Sequence, residues 1–162
     1  MRAGLAVGAS LARPQARRLA RELRRSDAIA RATRALELRD RPARELDERL
    51  GAAGVAPATR ADVVDALTRA GLVDDERFAR GRAAALAARG WGDAAIRADL
   101  EARGVAGELV EDAVSALDPE PERAARVAER RGGGARTARY LAARGFDPDS
   151  FETLVADEAP RQ

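Results

Sequence analysis

Leu100-Glu101-Ala102-Arg103-Gly104-Val105 is the stretch on which the fold turns, because the chain repeats it. An earlier copy is Leu50-Gly51-Ala52-Ala53-Gly54-Val55, and a later one is Leu141-Ala142-Ala143-Arg144-Gly145-Phe146. Each reads Leu-x-x-x-Gly-apolar. A helix whose last apolar residue is followed by glycine and then by another apolar residue ends in a Schellman-type stop. The glycine is needed because that position takes positive φ, which a Cβ disfavours. Gly104 is therefore expected in the left-handed region.

Reading outward from each stop gives the rest of a repeat. An amphipathic helix follows it: Val63, Val64 and Leu67 in the first copy, Val110, Ala113, Val114 and Leu117 in the second, and Phe151, Leu154 and Val155 in the third. Another helix precedes the stop-bearing one. Ile29, Ala32, Thr33 and Leu36 form its stripe in the first copy, Asp74–Arg89 spans it in the second, and Glu122–Arg131 in the third. Apolar residues at i, i+3, i+4 and i+7 mark one helical face. The pattern predicts three tandem three-helix repeats, at residues 27–73, 74–117 and 118–162. Such repeats bury their cores against neighbours, so an elongated, curved all-α body is expected. A separate basic helix, Gln15–Arg25, lies within an N-terminal arm at residues 1–26.

Start signals agree with these elements. Pro42 suits the first turn of the middle helix of repeat one. Asp147-Pro148 reads as N-cap and first helical residue, and Asp93 after Gly92 reads as a cap. Asp74-Asp75-Glu76 places carboxylates at a helix N-terminus, where the macrodipole favours them. Pro119 and Pro121 mark the junction of repeats two and three.

Composition points the same way. Hydrophobic residues make up 46% of the 162, yet aromatics only 3%. Much of the apolar content is alanine, which loses no side-chain entropy in a helix. The absence of cysteine and histidine excludes disulfides, thiol nucleophiles and the usual zinc ligands. It also removes the side chain most used for proton transfer near neutral pH. No metal, cofactor or catalytic site is expected. No apolar run is long enough to cross a bilayer, and Ala3–Ala12 is too short and too weakly hydrophobic for a signal-peptide core. A monomer in the cytoplasm is expected.

All 29 basic residues are arginine. Seven of them stand against one glutamate in Met1–Ser26, so a basic arm precedes a mildly acidic body. Pro119–Phe146 holds seven arginines and three acids, whereas Asp147–Glu158 holds five acids and no base. Arg123, Arg126 and Arg130 fall at i, i+3 and i+7, a spacing that places them on one helix face as a candidate surface for an anionic partner. Reversing the charge of all three is expected to leave helicity intact and to weaken partner binding. Arg82, Arg89 and Arg97 extend the candidate set into repeat two. No aromatics are interleaved with these arginines in sequence, which argues against a base-stacking platform. Trp91 reads as an interhelical plug, and Phe78 and Phe146 as core.

Gly71-Leu72-Val73-Asp74-Asp75-Glu76-Arg77-Phe78-Ala79 resembles the signature of the RecX family of RecA regulators. Arg39-Asp40-Arg41-Pro42-Ala43-Arg44-Glu45-Leu46 is similar to that family's first-repeat motif. Ile96–Val105 resembles its second-repeat segment, and Tyr140–Phe146 its C-terminal one. The resemblance covers about Ile29–Val155, with Asp74, Asp75, Arg77, Phe78, Gly104 and Gly145 as its signature positions. It implies a non-enzymatic protein that binds the RecA filament on single-stranded DNA. It also implies modulation, usually inhibition, of that filament's recombination, ATPase and SOS co-protease activities, with direct contact to single-stranded DNA as a second possibility. Two positions depart from the family pattern. Pro42 stands where a serine or threonine is usual, and the basic surface lacks lysine altogether. Two other classes fit parts of the chain: a helix-turn-helix DNA-binding protein, opposed by the acidic helix Gly107–Leu117, and a generic helical-repeat scaffold, opposed by the unequal repeat spacing and the aspartate pair.

Overall fold

The computed structural model describes residues 12–152. Leu154 and Val155 of the third repeat, and most of the Ala3–Ala12 stretch, lie outside the described residues. Among the described residues eight α-helices follow one another: α1 (Arg13–Leu38), α2 (Ala43–Ala52), α3 (Pro57–Arg69), α4 (Asp75–Ala88), α5 (Asp93–Ala102), α6 (Gly107–Ser115), α7 (Glu120–Arg131) and α8 (Gly134–Ala143), then a 3-10 turn at Pro148–Ser150. No strand occurs among the described residues. The all-helical class is as the sequence indicates.

The stops between helices are built as expected, and more widely. At Gly54, Gly104 and Gly145 φ is +79°, +79° and +77°. The amides of Val55, Val105 and Phe146 donate to the carbonyls of Leu50, Leu100 and Leu141 at 3.0, 3.2 and 3.1 Å. Those are the six-to-one bonds of the Schellman motif. The same bond joins Leu72 to Leu67 at 2.9 Å and Trp91 to Leu86 at 3.2 Å, around Gly71 and Gly90, whose φ are also positive. Leu67-Thr68-Arg69-Ala70-Gly71-Leu72 and Leu86-Ala87-Ala88-Arg89-Gly90-Trp91 spell the same signature.

The basic helix at Gln15–Arg25 and the stripe beginning at Ile29 are one continuous helix, α1, of 26 residues. Ser26-Asp27 between them carries neither glycine nor proline, so nothing interrupts the hydrogen-bond ladder. The buried stripe is Ala28, Ala32 and Ala35, with Ile29, Thr33 and Leu36 only half-buried. Small side chains let α1 approach its neighbour closely, and the larger ones flank the contact. Pro42 precedes α2 rather than opening it. Asp93 is the first helical residue of α5 and Gly92 its N-cap, so Asp93 is not a cap.

The helices gather into two compact units. One comprises the chain up to Arg39 with Leu46–Leu72, and the other Asp40–Glu45 with the chain from Val73 onward. In the first, Ala28, Ala32, Ala35, Leu46, Leu50, Val63 and Leu67 are buried. In the second, Phe78, Ala83, Leu86, Ile96, Leu100, Val105, Val110 and Val114 form one cluster on α4–α6. Ala124, Val127, Leu141, Phe146 and Phe151 form another on α7, α8 and the following turn.

Candidate partner-binding surface

Within the second unit, successive helices complete one another's ends. Asp74 caps its own helix, accepting from the Arg77 amide at 2.9 Å. Asp75 reaches the first turn of α2, accepting from the Ala43 amide at 2.8 Å. Glu76 pairs with Arg80 at 2.8 Å on the surface. Glu120, the first residue of α7, does for α5 what Asp75 does for α2: its carboxylate accepts from the Asp93 amide at 2.6 Å. Its other oxygen takes the Asp147 amide at 3.1 Å and the Ser150 hydroxyl at 2.9 Å. The end of α8 closes the same joint, with the carbonyls of Arg144 and Gly145 accepting from the Gly92 and Ala94 amides at 2.9 and 3.2 Å. These bonds satisfy N-terminal amides that a helix cannot satisfy itself.

The stop glycines are therefore held for two reasons. A Cβ on Gly145 would lie 2.7 Å from both Cβ and N of Ala95, and one on Gly104 would overlap the Arg44 side chain. Gly54 and Gly71 have nothing within 4 Å of that position. The signature residues Asp74, Asp75, Gly104 and Gly145 are thus helix-end and joint residues. Phe78 lies in the core cluster, and Arg77 pairs with Asp74 at 3.2 Å.

The six candidate arginines separate by their partners. Arg123 is only 5% exposed. Its Nε donates to the Asp118 carbonyl at 2.9 Å, one Nη donates to the Trp91 carbonyl at 3.0 Å, and the other pairs with Asp93. This corrects the reading of Arg123 as a partner-facing side chain: it is an interior tie between α7 and the start of α5. Its neighbours in the buried face of α7 are Ala124, Val127 and Ala128. Val127, four residues on, is the sequence signal that places Arg123 inward. The expectation that reversing Arg123, Arg126 and Arg130 together leaves helicity intact falls with it.

Arg82 grips Asp99 through two bonds of 2.9 and 2.8 Å. Arg103 shares that carboxylate at 2.9 Å and reaches Glu45 at 3.6 Å, and Glu45 also pairs with Arg41. Cations and carboxylates thus alternate from Arg82 to Arg41. Hydrogen bonding from Arg82, with Arg103 behind it, lowers the Asp99 carboxyl to a pKa of about 2. Arg97 holds Glu111 at 2.8 and 3.0 Å, which lowers the Glu111 carboxyl and raises the guanidinium. Arg82 and Arg97 line neither of the hollows on α7.

Arg89, Arg126 and Arg130 do come together. Arg126 and Arg130 line a groove of about 450 Å³ floored by Ala84, Ala87, Ala88, Leu117 and Val127. Ala88, Val127 and Arg130 also line a second hollow of about 350 Å³, with Arg89, Arg131 and Tyr140. Arg126 pairs with the exposed Asp118 at 2.7 Å, and Arg130 donates to the Arg126 carbonyl at 3.1 Å. Aromatics absent from the local sequence enter here in space. Arg131 lies 3.7 Å over the Tyr140 ring, and Arg144 lies 4.5 Å over Trp91 and 5.1 Å over Tyr140. Arg131, Tyr140 and Arg144 are members of this surface that the helical spacing of arginines does not reveal. Guanidiniums occupy the aromatic faces, so the stack fixes cations in place. The arrangement suits an anionic surface. Among the described residues no group of three or more acidic side chains could hold a metal ion, and no helix is long and apolar enough to cross a membrane.

Comparison with known proteins yields one family. Residues 74–114 match the model of the second three-helix domain of RecX. The regulatory protein RecX of Chromohalobacter salexigens is 39% identical over 145 residues, covering 82% of this chain and 90% of that one. The one from Halorhodospira halophila is 32% identical over 135 residues, covering 77% and 84%. A crystal structure of regulatory protein RecX superposes with a TM-score of 0.77 at 21% identity, over 95% of this chain and 82% of that one. The crystal structure of RecX from Lactobacillus salivarius gives 0.72 at 18% identity, over 83% and 96%. At these identities the structural likeness is one of fold.

Proposed function

The chain belongs to the RecX family of regulatory proteins, and from that premise we propose that it binds the RecA recombinase filament on single-stranded DNA and restrains strand exchange, ATP hydrolysis and SOS co-protease activity. On this reading it is a cytoplasmic binding protein of DNA repair and recombination that acts without a cofactor. The observation that carries the reading is the cationic surface of α7: Arg89, Arg126 and Arg130 around two adjoining hollows, backed by the Arg131–Tyr140–Arg144 stack. A nucleoprotein filament is anionic through its phosphates and acidic side chains, and complementary charge steers such encounters. The repeat boundaries 27–73, 74–117 and 118–162 are the units through which the chain would span more than one filament protomer, gaining affinity by multivalency.

Arg89→Glu/Arg130→Glu tests this without touching the buried Arg123. The variant should keep its helicity and bind RecA-coated single-stranded DNA at least tenfold more weakly, about 1.4 kcal/mol, in an anisotropy titration at moderate salt. Binding equal to wild type would remove this surface from the interaction. Titrating bare single strands checks direct DNA contact: each phosphate neutralised contributes about 0.7 to the salt slope. A recognition helix in a DNA groove is opposed by α6, which carries Glu108, Glu111 and Asp112.

A further inference from the structure

The first unit carries a different kind of hollow. Leu38 at the end of α1 and Ala52 and Ala53 at the end of α2 are the exposed apolar lining of a groove of about 430 Å³, which lies over the buried Ala35, Leu46 and Leu50 and is rimmed by Arg31, Arg34 and Arg49. No carboxylate lines it. Among the described residues these three guanidiniums make no hydrogen bond or ion pair, whereas most of the arginines discussed above have a carboxylate or carbonyl partner. Leu38, at the end of α1, is 78% exposed, the most exposed of the large apolar side chains among the described residues. The exposed apolar surface at Leu38, Ala52 and Ala53 is unfavourable to leave in water, and the solvated guanidiniums beside it are open to a carboxylate.

We infer that this groove docks an acidic amphipathic helix of a partner protein, its apolar stripe on Leu38, Ala52 and Ala53 and its carboxylates on Arg31, Arg34 and Arg49. Charge complementarity selects that occupant. Arg31 and Arg34 stand on one helix and Arg49 on another, so the positive charge brackets the apolar strip rather than replacing it. A helix with apolar residues at i, i+3, i+4 and i+7 and acids on either side reproduces that pattern. Each guanidinium fork can take a carboxylate through two parallel bonds. A nucleic acid strand would match the charge but would lay polar backbone on leucine, with no aromatic in the groove to stack a base. The proposal concerns a surface other than the α7 hollows and does not depend on the partner assigned to those.

The test uses the full chain and a fluorescein-labelled synthetic helix of about 15 residues, the length at which isolated helices become stable, with leucine on one face and glutamate flanking it. Two controls share its length, one scrambled so that the leucines leave that face and one with lysine for glutamate. Wild type should bind the first peptide and neither control. Arg31→Glu/Arg34→Glu/Arg49→Glu and, separately, Leu38→Asp should each weaken binding at least tenfold while leaving the melting temperature nearly unchanged, because all four side chains are exposed. Equal binding of the scrambled peptide, or of either variant, would overturn the proposal. So would displacement of the peptide by a short oligothymidylate in wild type, which would make the groove a nucleic-acid surface. A chain that sediments as a dimer and becomes monomeric with Leu38→Asp would also overturn it, since the occupant would then be a second copy.

Discussion

Arginine and glycine sit in contrasting surroundings at particular positions of the two compact units. In the second, Arg123, Arg82 and Arg103 are tied to carboxylates of other helices, and the stop glycines Gly104 and Gly145 are pressed against Arg44 of α2 and Ala95 of α5. In the first, Arg31, Arg34 and Arg49 stand around an open groove, and among the described residues nothing lies within 4 Å of where a Cβ on Gly54 or Gly71 would be. The same residue types serve as joinery at one set of positions and as surface at the other, and the split follows position rather than unit: Arg60 of the first unit is tied to Asp47 at 2.9 Å, and Arg89 of the second lines an open hollow. What decides is the presence of a neighbour: a buried charge must be paired, whereas an exposed one is left for whatever arrives.

Arg123→Met against Arg49→Met gives the widest separation. Removing one partner of a buried pair costs about 3–5 kcal/mol, because Asp93 is left uncompensated. An exposed arginine without a partner should change stability by no more than about 0.5 kcal/mol. Urea unfolding followed by circular dichroism reads both, and similar losses would erase the distinction between joint and surface.

The glycines sharpen it next. Gly145→Ala combines a positive-φ penalty of about 1–2 kcal/mol with overpacking of about 1–3 kcal/mol against Ala95. Gly54→Ala carries only the first of these. A midpoint shift for Gly145→Ala no larger than for Gly54→Ala would mean that the α8–α5 joint is looser than described.

Asp75→Ala should lose about 1 kcal/mol, the usual worth of a cap, and speed hydrogen exchange at the Ala43 amide. Asp75→Asn, which can still accept the bond, should retain most of the protection. Fast exchange at Ala43 in the asparagine variant would show that charge, not the cap, is what matters there.

The smallest effect is acid-dependent. Asp99 has a lowered folded pKa, so its ion pairs stabilise the fold at pH above the unfolded carboxylate value, about 3.9. That contribution is lost as pH falls from there through about 2. The melting-temperature gap between wild type and Asp99→Asn should be constant from neutral pH to about 5 and should close below 4. A gap that stays open at pH 2 would assign the effect to packing.

Helix order was legible because it rests on local rules: a period of 3.6, prolines near starts and glycines at stops. Even so, the repeat alignment marks only three of the five stops. Leu67–Leu72 and Leu86–Trp91 carry the same six-residue signature but lie between the aligned strings. The sequence reads α1 as two helices because a run of arginines suggests a boundary where backbone chemistry supplies none. The candidate surface was legible only in part. Arg126 and Arg130 could be read from spacing, but Arg123 is pulled inward by Asp93, 30 residues away. Tyr140 and Trp91 meet arginines only after the chain has folded back. Asp75 looked like a local cap, since nothing short of the fold brings Ala43 to it.

The joint that runs from Asp75 to α2, and again from Glu120, Arg144 and Gly145 to α5, has a direction. In α2 and α5 the first amides are satisfied by residues made later in the chain. On the ribosome, therefore, α2 waits for Asp75 to leave the exit tunnel and α5 waits for Glu120 and then for the end of α8. Synthesis would consolidate the array in steps, each newly emerged segment securing the one before it. A stalled or prematurely stopped chain would carry its weakest structure at the last segment made, presenting an unfinished helix start to proteases.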